Sequence, residues 1–242
     1  MERRRIAELE CTVVDSPGCT ESIRGLVLLC HGFGAPGDDL VPCAAELYSS
    51  AARPLDGVRF VFPAAPIQMD PSGMHDARAW WPIDTLLLQQ IMESGGVRDL
   101  RKEKPKLLLE RRRQITDVIG LIQEEADVDA SQTVIGGFSQ GAMLTTDVAL
   151  AFPKDLGGLI VWSGTLLNEK DWKRLASCKS ELKVVQSHGQ SDPVLPFQGA
   201  ELLRSMLAVN QIKNNFIGFS GQHTIPQQGI TAAAELIESI LE

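Results

Sequence analysis

Thr133-Val-Ile-Gly-Gly-Phe-Ser139-Gln-Gly-Ala-Met-Leu-Thr-Thr-Asp-Val-Ala-Leu150 is the stretch that decides the fold. A β-branched apolar run ends in glycine, Gly137-Phe-Ser139-Gln-Gly141 follows, and the residues after it suit a helix. This is G-x-S-x-G between a strand and a helix, where a strained turn lifts the serine hydroxyl clear of the backbone. Small residues are needed two before and two after the serine, because the helix must pass close to the strand it leaves; Gly137 and Gly141 meet that need. Ser139 is therefore the candidate nucleophile.

A serine hydroxyl attacks well only when a base takes its proton and a third group orients that base. In a strand–elbow–helix arrangement the partners follow the serine in the order acid, then histidine. Only His188 and His223 lie after Ser139. Asp192, in His188-Gly-Gln-Ser-Asp-Pro-Val-Leu-Pro196, precedes only His223. Asp147 falls on the helix leaving the elbow, Asp155 in a connection and Asp171 at a helix start, so Asp192 is the expected acid and His223 the expected base. Two backbone donors must meet the oxyanion. The N–H of Gln140, next after the nucleophile, is one; the second is assigned to Phe33 in Cys30-His-Gly-Phe-Gly34, the loop after an earlier apolar run.

Outward from this centre, apolar runs at 9–14, 25–30, 58–62, 132–137, 157–162, 182–187 and 213–219 alternate with helical patterns at 39–51, 106–126, 140–152, 198–210 and 226–241. Such alternation predicts an α/β fold, a mostly parallel central sheet flanked by helices. One domain over 1–242 is expected, with residues 63–105 as a lid-like excursion or pocket wall. That segment holds Trp80-Trp81, and adjacent tryptophans commonly line a pocket, so both are candidate substrate-binding residues.

Composition narrows the rest. The 242 residues are 44% hydrophobic and 22% charged, ordinary for a globular chain. The net charge of −8 disfavours nucleic acid and anionic membrane as main partners. Residues 98–113, with eight basic against three acidic side chains, run against that balance and read as a solvated face. Five cysteines, without a C-x-x-C pair, form neither a disulfide framework nor a zinc ribbon, and a cytoplasmic location is expected. No stretch is long and apolar enough for stable membrane insertion. Gly32-Phe-Gly-Ala-Pro-Gly37 matches G-x-G-x-x-G, but Pro36 and Gly37 delay any helix and no acid closes the next strand, so a dinucleotide site is not expected. No histidine sits at metal-ligand spacing, and neither metal nor cofactor is expected.

The chain resembles the phospholipase/carboxylesterase family of α/β-hydrolases, which includes the acyl-protein thioesterases. The resemblance is carried over nearly the whole length by 29–34, Pro63-Ala-Ala-Pro66, Arg78-Ala-Trp-Trp81, Gly136–Gly141, Trp162-Ser-Gly164, His188–Pro196 and Gln222-His-Thr-Ile225. It implies an α/β-hydrolase domain, a Ser139/Asp192/His223 triad, oxyanion donors at Phe33 and Gln140, and cofactor-free hydrolysis of carboxylic esters or thioesters. Residues 86–105 look longer and more basic than in the thioesterases, and Trp81 stands where they commonly have Phe, which points away from protein depalmitoylation. The expected activity is that of a serine carboxylesterase on short- to medium-chain esters. The alternative is a lysophospholipase or acyl-protein thioesterase on long acyl chains; a non-catalytic binding protein is disfavoured because all three triad positions are filled. The expected partner is a small-molecule ester, and a homodimer is left open. Activity should fall below about pH 6 as His223 protonates.

Overall fold

Gly25-Leu-Val-Leu-Leu-Cys30 is buried at every position, the mark of a strand covered on both faces at the centre of a parallel sheet. The computed structural model, which describes residues 1–70, 72, 76–84, 86, 90 and 99–241, makes this run the third of ten strands. They are β1 (Glu2–Ile6), β2 (Leu9–Asp15), β3 (Gly25–Cys30), β4 (Val58–Pro63), β5 (Ile67–Gln68), β6 (Arg78–Ala79), β7 (Thr133–Phe138), β8 (Gly158–Trp162), β9 (Lys183–Gly189) and β10 (Lys213–Phe219). The helices described are α1 (Cys43–Ser50), α2 (Leu108–Ala126), α3 (Gln140–Ala151), α4 (Glu169–Ala176), α5 (Phe197–Val209) and α6 (Gln227–Glu238).

Eight strands form one sheet in the order β1-β2-β4-β3-β7-β8-β9-β10, and β5 pairs with β6 in a separate ribbon. Pairing is antiparallel at β1–β2 and β2–β4 and parallel from β4 through to β10. Strand β1 was not expected from the sequence. Its Arg3, Arg4 and Arg5 leave it without an apolar face, and such charges suit an edge strand that must not recruit another chain. Helices α2 to α5 cover one face of the sheet around Ile115, Ile119, Leu144, Trp172 and Leu203. Helices α1 and α6 cover the other around Leu47, Phe60, Trp162 and Ile237.

The amphipathic pattern of 106–126 becomes α2, with Ile115, Val118, Ile119 and Ile122 inward. It stops at Asp127, which takes a left-handed turn and returns its N–H to Gln123. Helix α3 differs, since every residue from Gln140 to Leu150 is buried. Strand order reverses at β3, with β4 on one side and β7 on the other. In open α/β sheets the ends of such strands border the crevice where ligands bind. The loops after β3 and β7 meet there.

Candidate active site

Ser139 lies between β7 and α3 at φ 54° and ψ −115°, a conformation that costs a non-glycine residue free energy. The neighbourhood enforces it. A Cβ on Gly137 would lie 2.3 Å from the Cys30 carbonyl, and one on Gly141 2.1 Å from the same atom. Strand β3 is thus packed directly against the elbow, and no larger residue fits. Ser139 N–H donates to Trp162 O at 2.9 Å, and its carbonyl accepts from Met143 N at 3.1 Å, the first bond of α3.

The acid and base come from the ends of β9 and β10. Asp192 Oδ1 accepts from the N–H groups of Val194 (2.8 Å) and Leu195 (2.9 Å). Its Oδ2 lies 2.6 Å from His223 Nδ1. His223 Nε2 lies 2.9 Å from Ser139 Oγ. The structure therefore brings together the three side chains singled out in the sequence as one hydrogen-bonded chain. Burial pushes the Asp192 carboxyl up, yet the donors of His188, His223 and Leu195 outweigh it and hold it well below the usual carboxylate range. Asp192 is an anion and His223 carries its proton on Nδ1, leaving Nε2 to accept from the serine.

The two loops are locked together. Gln190 N donates to Phe219 O at 2.9 Å and Ser191 N to Gly221 O at 3.0 Å. A Cβ on Gly189 would stand 2.2 Å from Gln222 O, so the loops cross there with room only for glycine. Ser163 Oγ adds a bond to Thr224 O at 3.0 Å. The other acids weighed in the sequence are engaged elsewhere: Asp147 with Arg112 and Trp172, Asp155 with Lys179, and Asp171 with Lys104 and Asn168.

A pocket of about 260 Å³ opens on Ser139 and His223. Phe33 and Gln140, the residues assigned to the oxyanion, both line it. Gln140 is the first residue of α3, whose opening N–H groups have no partner within the helix. The walls are mainly apolar, with Trp81, Ile83, Leu100, Met143, Leu167 and Val194 among them. Gly34 N–H donates to Arg78 O at 2.8 Å and Arg78 N–H to Ala35 O at 3.1 Å, which pins the loop after β3 onto β6.

The two tryptophans part company. Trp81 lines the pocket, whereas Trp80 is fully buried behind it and is not among the lining residues. The Trp80 indole donates to His31 O at 2.9 Å, while its backbone N–H donates to Gln140 Oε1 at 2.8 Å. Gln140 Nε2 in turn donates to Trp81 O at 2.9 Å, and Arg111 Nε donates to Trp80 O at 2.8 Å. His31 Nδ1 donates to Gly32 O and its Nε2 accepts from Ala65 N. Burial lowers the His31 pKa, which suits this neutral form. Gln140, Arg111 and His31 thus hold the wall and the loop after β3 through their side chains. Nothing in the sequence pattern marks those roles, because the bonds from Gln140 to Trp80, Arg111 to Trp80 and His31 to Ala65 join residues 31 to 60 apart.

A larger polar cleft of about 350 Å³ runs along β1, away from these residues. Three of its four arginines are ion-paired, Arg3 with Asp38, Arg4 with Glu125, and Arg78 with Asp76 and Glu10, and Arg5 donates to Glu8 O. Among the described residues no group of three or more His, Cys, Asp and Glu side chains could hold a metal ion. Gly32–Gly37 does not open a helix, since α1 starts only at Cys43. His75 and Arg98 lie outside the described residues.

Residues 9–241 match the family model described as phospholipase/carboxylesterase. The chain belongs to that family. Acyl-protein thioesterase 1 of Eremothecium gossypii is 30% identical over 219 residues, covering 89% of this chain and 87% of the relative. A probable carboxylesterase of Oryza sativa subsp. japonica is 31% identical over 177 residues, covering 72% of this chain and 70% of that one. The crystal structure of esterase PE8 superposes with a TM-score of 0.72 at 24% identity, covering 96% of this chain and 99% of that one, a likeness in fold. This member of the phospholipase/carboxylesterase family is a carboxylic ester hydrolase with an α/β-hydrolase fold. Among its described residues no helix is long and apolar enough to cross a membrane.

Proposed function

We infer that this hydrolase is a serine carboxylesterase acting on small esters of short to medium acyl length. The observation that carries the reading is the chain Ser139 Oγ, His223 Nε2, His223 Nδ1, Asp192 Oδ2, with contacts of 2.9 and 2.6 Å. Ser139 Oγ attacks the ester carbonyl as His223 Nε2 takes its proton, and Asp192 stabilises the imidazolium. The oxyanion accepts from the N–H groups of Phe33 and Gln140. Collapse passes the proton from His223 to the departing alcohol and leaves an acyl-Ser139. Water then attacks, again with His223 as base, and releases the acid.

A pocket of about 260 Å³ supports small acyl groups, since drug-sized ligands occupy roughly 300–1,000 Å³. That Trp81, Ile83 and Leu100 line the pocket supports a wall role for the described part of the excursion at 63–105, within one hydrolase domain. The five cysteines are free, which supports a reducing, cytoplasmic setting. A small-molecule ester, and neither nucleic acid nor membrane, is the partner that fits. The 98–113 segment was the one feature favouring a lipid surface, and its described charges are largely paired: Arg101 with Asp99, Arg111 with Glu110, Arg112 with Asp147, Arg113 with Glu8 and Asp117. The thioesterase relative supports a second reading, long-chain thioester hydrolysis.

Initial rates on p-nitrophenyl esters from acetate to palmitate, with Ser139→Ala beside the parent, separate these. A short-chain optimum lost in the variant is the expected result. A Ser139-dependent optimum at palmitate would favour the second reading, and no Ser139-dependent turnover on any ester would remove the first.

A further inference from the structure

His188 passes every sequence test for a base except chain order, and it is not idle in the fold. It is wholly buried near the end of β9, four residues before Asp192. Its Nε2 lies 2.7 Å from Leu195 O and 3.2 Å from Asp192 Oδ2. Both neighbours are acceptors, so Nε2 must carry the proton. Nδ1 is buried without a hydrogen-bond partner, as a bare lone pair can be at less cost than a buried N–H⁺. Asp192 Oδ2 therefore sits between two imidazoles, His188 Nε2 at 3.2 Å and His223 Nδ1 at 2.6 Å. Oδ1 takes two backbone N–H groups. Four donors leave this carboxylate no freedom to turn.

We propose that His188 is a positioning residue that acts through Asp192: its Nε2–H, shared between Leu195 O and Asp192 Oδ2, ties down the acid loop and fixes the oxygen that His223 must meet. The proposal rests on the Ser139/His223/Asp192 reading above. A buried carboxylate can accept a donor on either oxygen and in several directions, so two N–H groups on Oδ1 fix its plane only in part. The second imidazole sets how Oδ2 divides its charge. Without it, Oδ2 gives all its charge to His223 and draws the imidazolium form down in free energy. The base then protonates at higher pH and gives up its proton to the leaving group less readily. The titratable groups facing His188 are Asp192 and, across it, His223. The elements packed against it otherwise bring Leu195, Gly218 of β10 and Phe197 of α5, whose ring centroid is 6.1 Å away. Arg204, further along α5, lies over Phe216 instead.

His188→Gln and His188→Met test this as a pair. They have similar length and shape, but only the amide nitrogen of Gln can reproduce the Nε2 donor. The Met variant should lose about tenfold in kcat with KM little changed, the scale of one hydrogen bond to a charged group. Its acid limb should move up by about half a pH unit. The Gln variant should recover most of kcat and return the limb toward the parent. Parent kcat and an unmoved limb in His188→Met, or equal losses in both variants, would overturn the role. Should the Met variant fail to fold, ¹⁵N chemical shifts of the His188 ring in the parent decide: a protonated Nε2 and bare Nδ1 support it, and the reverse tautomer removes it. This spectroscopic arm does not depend on turnover. Ser139→Ala in the same assay reports separately on the esterase reading.

Discussion

The two sides of the pocket are built by different physics. On one side stands the elbow, where Gly137 and Gly141 press against the Cys30 carbonyl and the backbone has no alternative path. On the other stands the wall of Trp81, Ile83 and Leu100, held by single side chains, to the elbow by Gln140 and to α2 by Arg111. Steric closure cannot be relaxed by degrees, whereas a hydrogen-bonded wall can be loosened one bond at a time. Substitutions on the first side should therefore abolish the fold or the chemistry, and those on the second should tune substrate choice.

The largest effect is expected at the elbow itself. Gly141→Val places carbon atoms where a Cβ alone already stands 2.1 Å from Cys30 O, and should yield no folded protein by circular dichroism and soluble yield. A variant melting like the parent would break the contrast. Next comes the acid whose hydrogen-bonded chain ends on the elbow serine. Asp192→Asn should lower kcat by about 10⁴ with the thermal midpoint nearly unchanged; near-normal kinetics would assign the acid elsewhere.

On the wall side, Gln140→Leu strands the Trp80 N–H and the Trp81 carbonyl, two buried groups that now have partners. Each unsatisfied group costs about 1–3 kcal/mol, so urea unfolding should show a loss of roughly 2–6 kcal/mol. Stability within about 0.5 kcal/mol of the parent, the usual size of a surface-substitution effect, would mean that the staple holds nothing. Trp81→Ala is milder. It widens the pocket, and the acyl-length optimum should move to longer esters with kcat/KM for butyrate falling about tenfold; an unchanged chain-length profile would take Trp81 out of the acyl wall.

The smallest effect is in pH. Burial lowers the His31 pKa, so below the ordinary histidine value of about 6.5 the unfolded chain binds a proton that the folded one refuses, and stability falls as pH falls. The Asp192 carboxyl is held low in the fold, so what it contributes is present above its unfolded value of about 3.9 and is lost below it. Urea midpoints should decline modestly from pH 7 to 5 and more steeply under pH 4. A midpoint that rises on acidification would contradict both directions.

Legibility followed the same divide. The strands 25–30 and 213–219 and the helix onset at Gln140 coincide with the sequence reading: an apolar run buried on both faces marks the first, glycines at close approaches mark the elbow, and 213–219 keeps a strand pattern although it is an only partly buried edge. Strand β1 and the β5–β6 ribbon leave no such mark, and of helix α4 the sequence shows only the start near Asp171. Glu2-Arg-Arg-Arg-Ile6 has no apolar face of its own, the ribbon is two residues long on each side, and α4 buries only Trp172 and Ala176. Trp80 and Trp81 looked alike in sequence, yet one faces the pocket and the other is packed behind it.

What the sequence determined by itself is the α/β order, the serine at its elbow and the pairing of Asp192 with His223, since those depend on spacing, chain order and residues that admit no substitute. Only the tertiary structure decided that Trp80 supports while Trp81 contacts, that Gln140 staples the wall, and that His188 joins the Asp192 carboxylate. Those choices rest on hydrogen bonds across the sheet ends, where direction and distance select a partner that no local pattern encodes.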